Sequence, residues 1–296
     1  MKRLLILFLF LIPMVAISQT DFDKAEKLFL SKNLVQSKVL FENYLKENPN
    51  NLKALEYLGD IEGQNKSWDK AIYYYKKLKL LKPIEANYYY KYGGVLGMKA
   101  KDSNKFKALG MISEIKESFE RAISLNPKHI EARVAMVELY LQLPGIVGGS
   151  EKKAVLYANE IAQISPVDGY LSKGHIAEYF GRYKEAEVQY IKAIEVSKSK
   201  NSYRILANLY KNKMGQPEKA KSILEEIKNY PDRFSPNVIM RPLYQETILP
   251  NLCYIGGGGE LAYWFQLKNY FKKVNIPFPI LLLRNSALLI SNKQLN

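Results

Sequence analysis

The chain has 296 residues, of which 47% are hydrophobic and 25% charged, a composition suited to one large or two modest globular domains. The single Cys253 excludes an internal disulfide framework and a cysteine-rich metal site, and the two histidines, His129 and His175, are far apart, so we expect neither metal nor cofactor. The net charge of +15 comes mainly from scattered lysines, which favour a solvated surface and no nucleic-acid partner, with a basic nucleic-acid surface as an alternative.

The first 18 residues have the pattern of a secretory signal peptide. Two basic residues precede an uncharged apolar run that ends in Ala16, Ile17 and Ser18, with small residues where a signal peptidase requires them. The run is shorter than the roughly 20 residues that a spanning helix needs. We therefore predict an exported, periplasmic or cell-envelope protein that begins near Gln19 or Thr20 and meets the membrane only transiently, through this signal peptide.

A pattern of two short amphipathic helices joined by a tight turn recurs about every 34 residues over residues 21–231. In the unit at 167–198, Tyr170, Gly174 and Ala177 fall on one side of a first helix, and Ala186, Tyr190 and Ala193 do the same on a second. Comparable anchors in the other units are Leu55, Gly59, Ala71, Tyr75, Tyr92, Gly93, Phe119, Ala122, Ala154, Ala158, Leu209 and Ala220. The pattern resembles the tetratricopeptide repeat family. That resemblance implies a mostly α-helical solenoid of about six helical hairpins.

Two units carry insertions at the turn between their helices. In the third unit the extra residues surround the polar, lysine-rich stretch at 100–111, and in the fourth they form the stretch at 143–150. Both should project on the same side of a solenoid. The glycines of the second insertion suggest an anion site, but the P-loop spacing is absent, and Ser150 before Glu151 is explained as a helix N-cap.

The resemblance implies that the first helices line a concave face that binds an extended protein or peptide partner. We expect the side chains on this face to be aromatic and basic enough to favour a peptide with some acidic character. The candidate residues are Tyr57, Asp60, Tyr90, Lys91, Arg133, Tyr140, His175, Tyr179, Tyr203 and Arg204. The Lys and Asn pairing with which some family members hold a terminal carboxylate is not visible, and no carboxylate or nucleophile is spaced to make His175 a catalytic base, so we expect His175 to be a polar contact.

After about Tyr230 the repeat spacing ends, and the residues from Asp232 onward contain five of the 13 prolines and four consecutive glycines. We predict a strand at 252–255, a turn at 256–259, a helix at 260–274 and a second strand at 279–283. This order predicts a partial β-α-β fragment of Rossmann-like type.

The amino-acid sequence of this segment is similar to an internal part of the cysteine-adding ligases of bacillithiol biosynthesis. The resemblance covers residues 232–296 and rests on the stretches at 234–238, 241–246, 254–257, 259–264 and 283–286. It implies that the pocket would be lined by Arg241, Gln245, Gly256, Gly257, Glu260, Tyr263 and Arg284.

Only part of such a ligase core is recognisable, so we predict a truncated fragment without functional catalytic residues. The alternative function is a ligase that adds cysteine to glucosaminyl-malate. A ligase of an intracellular thiol pathway is expected in the cytosol, which conflicts with the export signal predicted at the start of this chain. We therefore expect the join near residues 229–234 to be a fusion of unrelated genes or an assembly artefact.

Overall fold

A computed structural model describes residues 21–229, 240–248, 252–256 and 258–283. The predicted signal peptide at 1–18 lies outside the described residues, as do Gly257, Arg284 and the join near 229–234 beyond residue 229. The chain divides into two compact units, Met1–Arg182 and Tyr183–Asn296. Each unit is treated separately below.

The first unit is built of helices that pack against their neighbours in chain order. Its described helices are α1 (21–30), α2 (Leu34–Glu47), α3 (Leu52–Gln64), α4 (Trp68–Leu81), α5 (Ala86–Lys101), α6 (Lys105–Leu125), α7 (Ile130–Gln142), α8 (Glu151–Ile164) and α9 (Pro166–Tyr179). Short connections between long helices make neighbours antiparallel, which is the hairpin arrangement that the repeat pattern predicts.

Polar caps determine where several of these helices begin. The Asn51 side chain accepts a hydrogen bond from the backbone N–H of Ala54 at 3.0 Å, and Ser150 accepts one from Lys153 at 3.3 Å. These bonds satisfy N–H groups that have no partner within the helix. The predicted N-cap role of Ser150 is confirmed.

Glycines allow the two helices of a hairpin to lie close together. A Cβ atom at Gly59 would lie 2.8 Å from the ring of Tyr75, and one at Gly93 would lie 2.9 Å from the ring of Phe119. The rings of the second helices thus occupy the space that larger side chains on the first helices would take. Around these contacts runs a buried apolar core that extends from α3 to α9, with a smaller aromatic cluster between α1 and α3.

The insertion predicted in the third unit is not a loop, and that expectation is wrong. The connection between α5 and α6 is short, and the extra residues form the first turns of α6, which is 21 residues long. Asn104 caps this helix by accepting from Lys107 at 3.0 Å. Residues such as lysine, alanine, leucine and methionine favour a helix, so a polar composition does not require a loop here. The insertion in the fourth unit is a connection that contains a 3₁₀ turn at Gly145–Val147.

The second unit begins with the helices α10 (Tyr183–Ser197), α11 (Lys200–Asn212) and α12 (Pro217–Asn229). After the repeat pattern come α13 (Met240–Ile248), β1 (Cys253–Gly256), α14 (Gly258–Lys273) and β2 (Ile280–Leu283). The strands are parallel, with Tyr254 opposite Leu281. The predicted β-α-β unit is confirmed, with a helix that begins two residues earlier than expected.

One face of this small sheet packs against α14. Trp264, Leu267 and Phe271 are buried there, with Tyr254 and Leu281 packed against them. On the strand positions that alternate with these, the apolar side chains of Ile255, Ile280 and Leu282 are exposed. Among the described residues, no helix is long and apolar enough to cross a membrane.

Candidate peptide-binding surface

The candidate surface lies on the first helices of successive hairpins in the first unit. Those helices carry Tyr57 and Asp60 on α3, Tyr90 and Lys91 on α5, Arg133 and Tyr140 on α7, and His175 and Tyr179 on α9. The other two predicted residues, Tyr203 and Arg204, lie on α11 in the second unit. The first eight candidate residues therefore lie on four successive first helices, α3, α5, α7 and α9. Bonds between first helices determine which of their side chains are accessible.

Lys91 joins α5 to α3. Its ammonium donates to Oε1 of Glu56 at 2.8 Å and to both carboxylate oxygens of Asp60 at 2.9 Å, and Asp60 also accepts a hydrogen bond from the hydroxyl of Tyr75. Burial lowers the pKa of Lys91, but the hydrogen bond to Glu56 and the charge of Asp60 outweigh it and raise the pKa above its usual value. Lys91 therefore carries one positive charge between two carboxylates.

A contact of the same kind joins α3 to α1. The hydroxyl of Tyr57 donates to Oε1 of Glu26 at 2.6 Å, and the ammonium of Lys53 lies 3.2 Å from the same oxygen. Burial, followed by the hydrogen bond to Glu26, raises the pKa of Tyr57 above its usual value. The phenol therefore stays protonated at neutral pH and acts as a donor.

His175 joins α9 to α7, and the expectation that no carboxylate would be placed beside it is wrong. Its Nε2 lies 2.8 Å from Oε2 of Glu138, and the two side chains are 47% and 43% exposed. The hydrogen bond raises the pKa of His175 and lowers that of Glu138, and the charge of Lys101 also lowers the latter. Because both side chains are open to solvent, a partner can contact this pair directly.

Arg133 and Tyr140 are buried between α7 and α8. The guanidinium of Arg133 donates to Glu160 at 2.9 Å and to the backbone carbonyl of His129 at 3.1 Å. The ring of Tyr140 stacks on that of Tyr157 with centroids 5.9 Å apart. Both residues therefore support the surface through packing.

Two further aromatic candidates have different surroundings. Tyr90 is half-buried, with its ring 5.2 Å from that of His129. Tyr179 is exposed at the end of α9, where it meets the ring of Phe180 edge-on. Tyr179 is therefore the more accessible of the two.

The residues suggested by the ligase resemblance lie along the β-α-β unit and the helix before it. Gln245 is exposed on α13, Glu260 is exposed in the first turn of α14, and Tyr263 packs against the aromatic cluster of that helix. Gly256 ends β1, and Arg241 lies on α13. A carboxylate in the first turn of α14 interacts favourably with the helix dipole, and this interaction is sufficient to explain Glu260 at that position.

The carboxylates that orient the surface were missed from the sequence. Glu26, Glu56 and Glu138 each bond to a side chain on the next first helix, at separations of 31, 35 and 37 residues. For Glu56 and Lys91, the sequence signal was a pair of opposite charges spaced about one repeat apart. Also missed was a pocket of about 400 Å³ beside the turn before α4, where the Trp68 indole donates to Asp102 at 2.8 Å.

Among the described residues, no cluster of three His, Cys, Asp or Glu side chains could hold a metal ion.

These helical hairpins define the protein as a helical-repeat solenoid of the tetratricopeptide type. The crystal structure of a thermophilic TPR protein from Thermus thermophilus matches with a TM-score of 0.50 and 18% identity, covering 70% of this chain and 98% of that one. A tetratricopeptide repeat protein from Parabacteroides merdae matches with a TM-score of 0.50 and 17% identity, covering 87% of this chain and 92% of that one. These likenesses confirm the predicted fold.

A second similarity concerns the later part of the chain. The family model described as bacillithiol biosynthesis BshC, N-terminal Rossmann-like domain, matches residues 172–285. The cysteine ligase BshC of Christiangramia forsetii is 71% identical over 72 residues, which cover 24% of this chain and 13% of that protein. The BshC of Flavobacterium johnsoniae is 69% identical over 72 residues, covering 24% and 14%. The chain thus spans a small part of these relatives. The predicted resemblance is confirmed, and the family match begins earlier than expected.

Proposed function

We propose that this protein is an exported, non-catalytic scaffold that binds an extended peptide segment on the first helices of residues 21–182. The observation that carries the proposal is the set of bonds between first helices, which hold partly exposed polar side chains in fixed positions. A surface that is ordered before binding loses little side-chain freedom on contact, so more of the interaction free energy is available for affinity.

The charges near α3 indicate which peptides fit. Glu26, Glu56 and Asp60 contribute three carboxylates, whereas Lys53 and Lys91 contribute two ammonium groups. This balance favours basic or hydroxyl-bearing side chains at this end of the surface, in place of the acidic peptide expected from the sequence. Toward α9, the exposed pair of His175 and Glu138 offers both a donor and an acceptor to a peptide backbone.

A peptide selection tests this proposal. The chain is expressed from Met1 in a Gram-negative host, recovered from the periplasm and used to select from a random phage-displayed peptide library. We expect enriched peptides to carry Lys or Arg. The double change Glu56→Gln and Asp60→Asn should weaken their binding about tenfold, because it removes two charges and keeps the hydrogen-bonding shape.

The matched control is Glu120→Gln on α6, where the carboxylate pairs with Lys116 within one helix at 3.6 Å. It should leave peptide affinity unchanged. Equal binding by the double variant and the unaltered chain would contradict the proposed surface. Recovery solely from the cytosol with residues 1–18 retained would contradict export.

A second candidate function is suggested by the high identity to the BshC ligases over 72 residues. In this reading the chain adds cysteine to glucosaminyl-malate. Because the match covers 13% of the relative's length, we propose that the matched segment alone does not catalyse this step.

Incubation of the purified chain with cysteine and glucosaminyl-malate should therefore give no product by mass spectrometry. A full-length BshC ligase under the same conditions is the positive control. Product above the no-enzyme background that disappears with Glu260→Gln would favour the ligase function over the scaffold.

A further inference from the structure

Three consecutive first helices of the first unit end along one edge. The helices α5 and α7 contact each other, as do α7 and α9, and short antiparallel connections make the three run in the same direction. The bond between His175 and Glu138 lies close to the ends of α9 and α7. We call the segments at or just after these helix ends, 102–109, 143–150 and 179–182, the turn edge.

Large apolar side chains project from each segment of the turn edge. Phe106 is 88% exposed at the start of α6, and Ile146 is 97% exposed in the loop after α7. Leu109, Tyr179 and Phe180 are also exposed. Single exposed apolar residues are common on soluble proteins, but three successive repeats each presenting one at the same edge need an explanation.

The charged groups of the turn edge favour an anionic partner. Lys105 and Lys107 flank Phe106 and are exposed. The nearby Asp102 already accepts a hydrogen bond from Trp68, and Glu151 is paired with Arg182. Within the three segments the charged residues are Asp102, Lys105, Lys107 and Arg182, so basic groups outnumber acidic ones by two, and the two lysines are exposed.

We propose that the turn edge docks on the surface of an anionic phospholipid membrane, with Phe106 and Ile146 entering the boundary between headgroups and acyl chains. Side chains that project singly from separate turns suit a deformable bilayer, since a protein partner would need a matching pocket for each. Lysines beside an aromatic ring can remain among the phosphates while the ring is buried. The proposal goes beyond peptide binding and adds a lasting membrane contact to the transient one expected from the signal peptide.

Vesicle co-sedimentation tests this proposal with the mature full chain. We expect binding to phosphatidylglycerol-containing vesicles that exceeds binding to pure phosphatidylcholine and weakens with salt. The double change Phe106→Ser and Ile146→Ser should lower the partition coefficient about tenfold for each residue, which is the gain expected from burying a large apolar side chain. Lys105→Gln with Lys107→Gln should reduce only the preference for phosphatidylglycerol.

The control removes two exposed apolar residues from other helices of the same unit, Val35→Ser on α2 and Leu80→Ser on α4. It should bind vesicles like the unaltered chain, and circular dichroism should show all variants folded. Failure of the unaltered chain to sediment with phosphatidylglycerol vesicles overturns the proposal, as does equal loss of binding in the control. Retention on immobilised polyglutamate without vesicle binding would assign the edge to an acidic protein instead.

Discussion

Replacing Lys38 with Met is expected to lower the free energy of unfolding by about 3–5 kcal/mol, the usual cost of leaving a buried charge without its partner. The ammonium of Lys38 on α2 lies 2.6 Å from Oε1 of Glu62 on α3, and the Glu62 side chain is only 1% exposed. Contact with Glu62 raises the pKa of Lys38. The ion pair therefore stabilises the fold fully at any pH below the pKa of Lys38 in the unfolded chain, including neutral pH. This stabilisation is lost as pH rises through the higher pKa of Lys38 in the folded protein.

Urea unfolding followed by circular dichroism measures this effect. The double change Lys38→Met and Glu62→Met should recover most of the lost stability, because it removes both charges and fills the site with apolar atoms. Lys46→Met on the same helix is the control, since that lysine bonds only to the exposed Asn43 in the described structure. If Lys38→Met and Lys46→Met unfold at the same urea concentration, the ion pair does not stabilise the first repeats.

Gly169→Ala is expected to destabilise the protein by about 3 kcal/mol, at the upper end of the usual cost of overpacking. Gly169 is buried in the first turn of α9, and a Cβ atom there would lie 2.5 Å from Cα and 2.9 Å from N of Ala162 on α8. These are backbone atoms, so no side-chain rotation can relieve the clash. The two helices would have to separate.

Gly97→Ala is the matched control for this change. Gly97 also lies on a first helix, but a Cβ atom there meets nothing within 4 Å. Alanine should stabilise that helix by about 0.5–1 kcal/mol, since it restricts the unfolded chain more than glycine does. Ala162→Gly should fail to rescue Gly169→Ala, because the clashing Cα and N atoms remain. Full rescue, or a stabilising effect of both alanine changes, would contradict the proposed close approach.

Much of the helical architecture could be predicted because its determinants are local or recur. Gly59 and Tyr75 stand at positions that the repeat pattern marks, and they meet in the structure as a small residue facing a ring. The N-cap at Ser150 needs only residues within one turn. The start of α6 could not be predicted in this way, because its lysines resemble a loop in composition while Met111 packs against the core.

The candidate surface was harder to predict because its side chains find partners one repeat away. Asp60 and Lys91 were each expected to face a ligand, yet they bond to each other across α3 and α5. Arg133 and Tyr140 were expected to line the concave face, yet Glu160 and Tyr157 of α8 hold them in buried positions. Which of two neighbouring helices a polar side chain chooses depends on their relative rotation, and helix periodicity in one segment does not give that rotation.

The length of α6 has a consequence for how such repeats can vary. With 21 residues it is seven residues longer than the 14-residue α4, the second helix of the preceding hairpin. Seven residues correspond to nearly two complete helical turns, so the added segment rotates the entry point of the chain by only about 20°. The chain therefore enters α6 on nearly the same side as it would enter a shorter helix. Increments of this size let a repeat lengthen without changing the direction from which its polypeptide arrives, whereas an addition of five residues would rotate the entry point by about 140°.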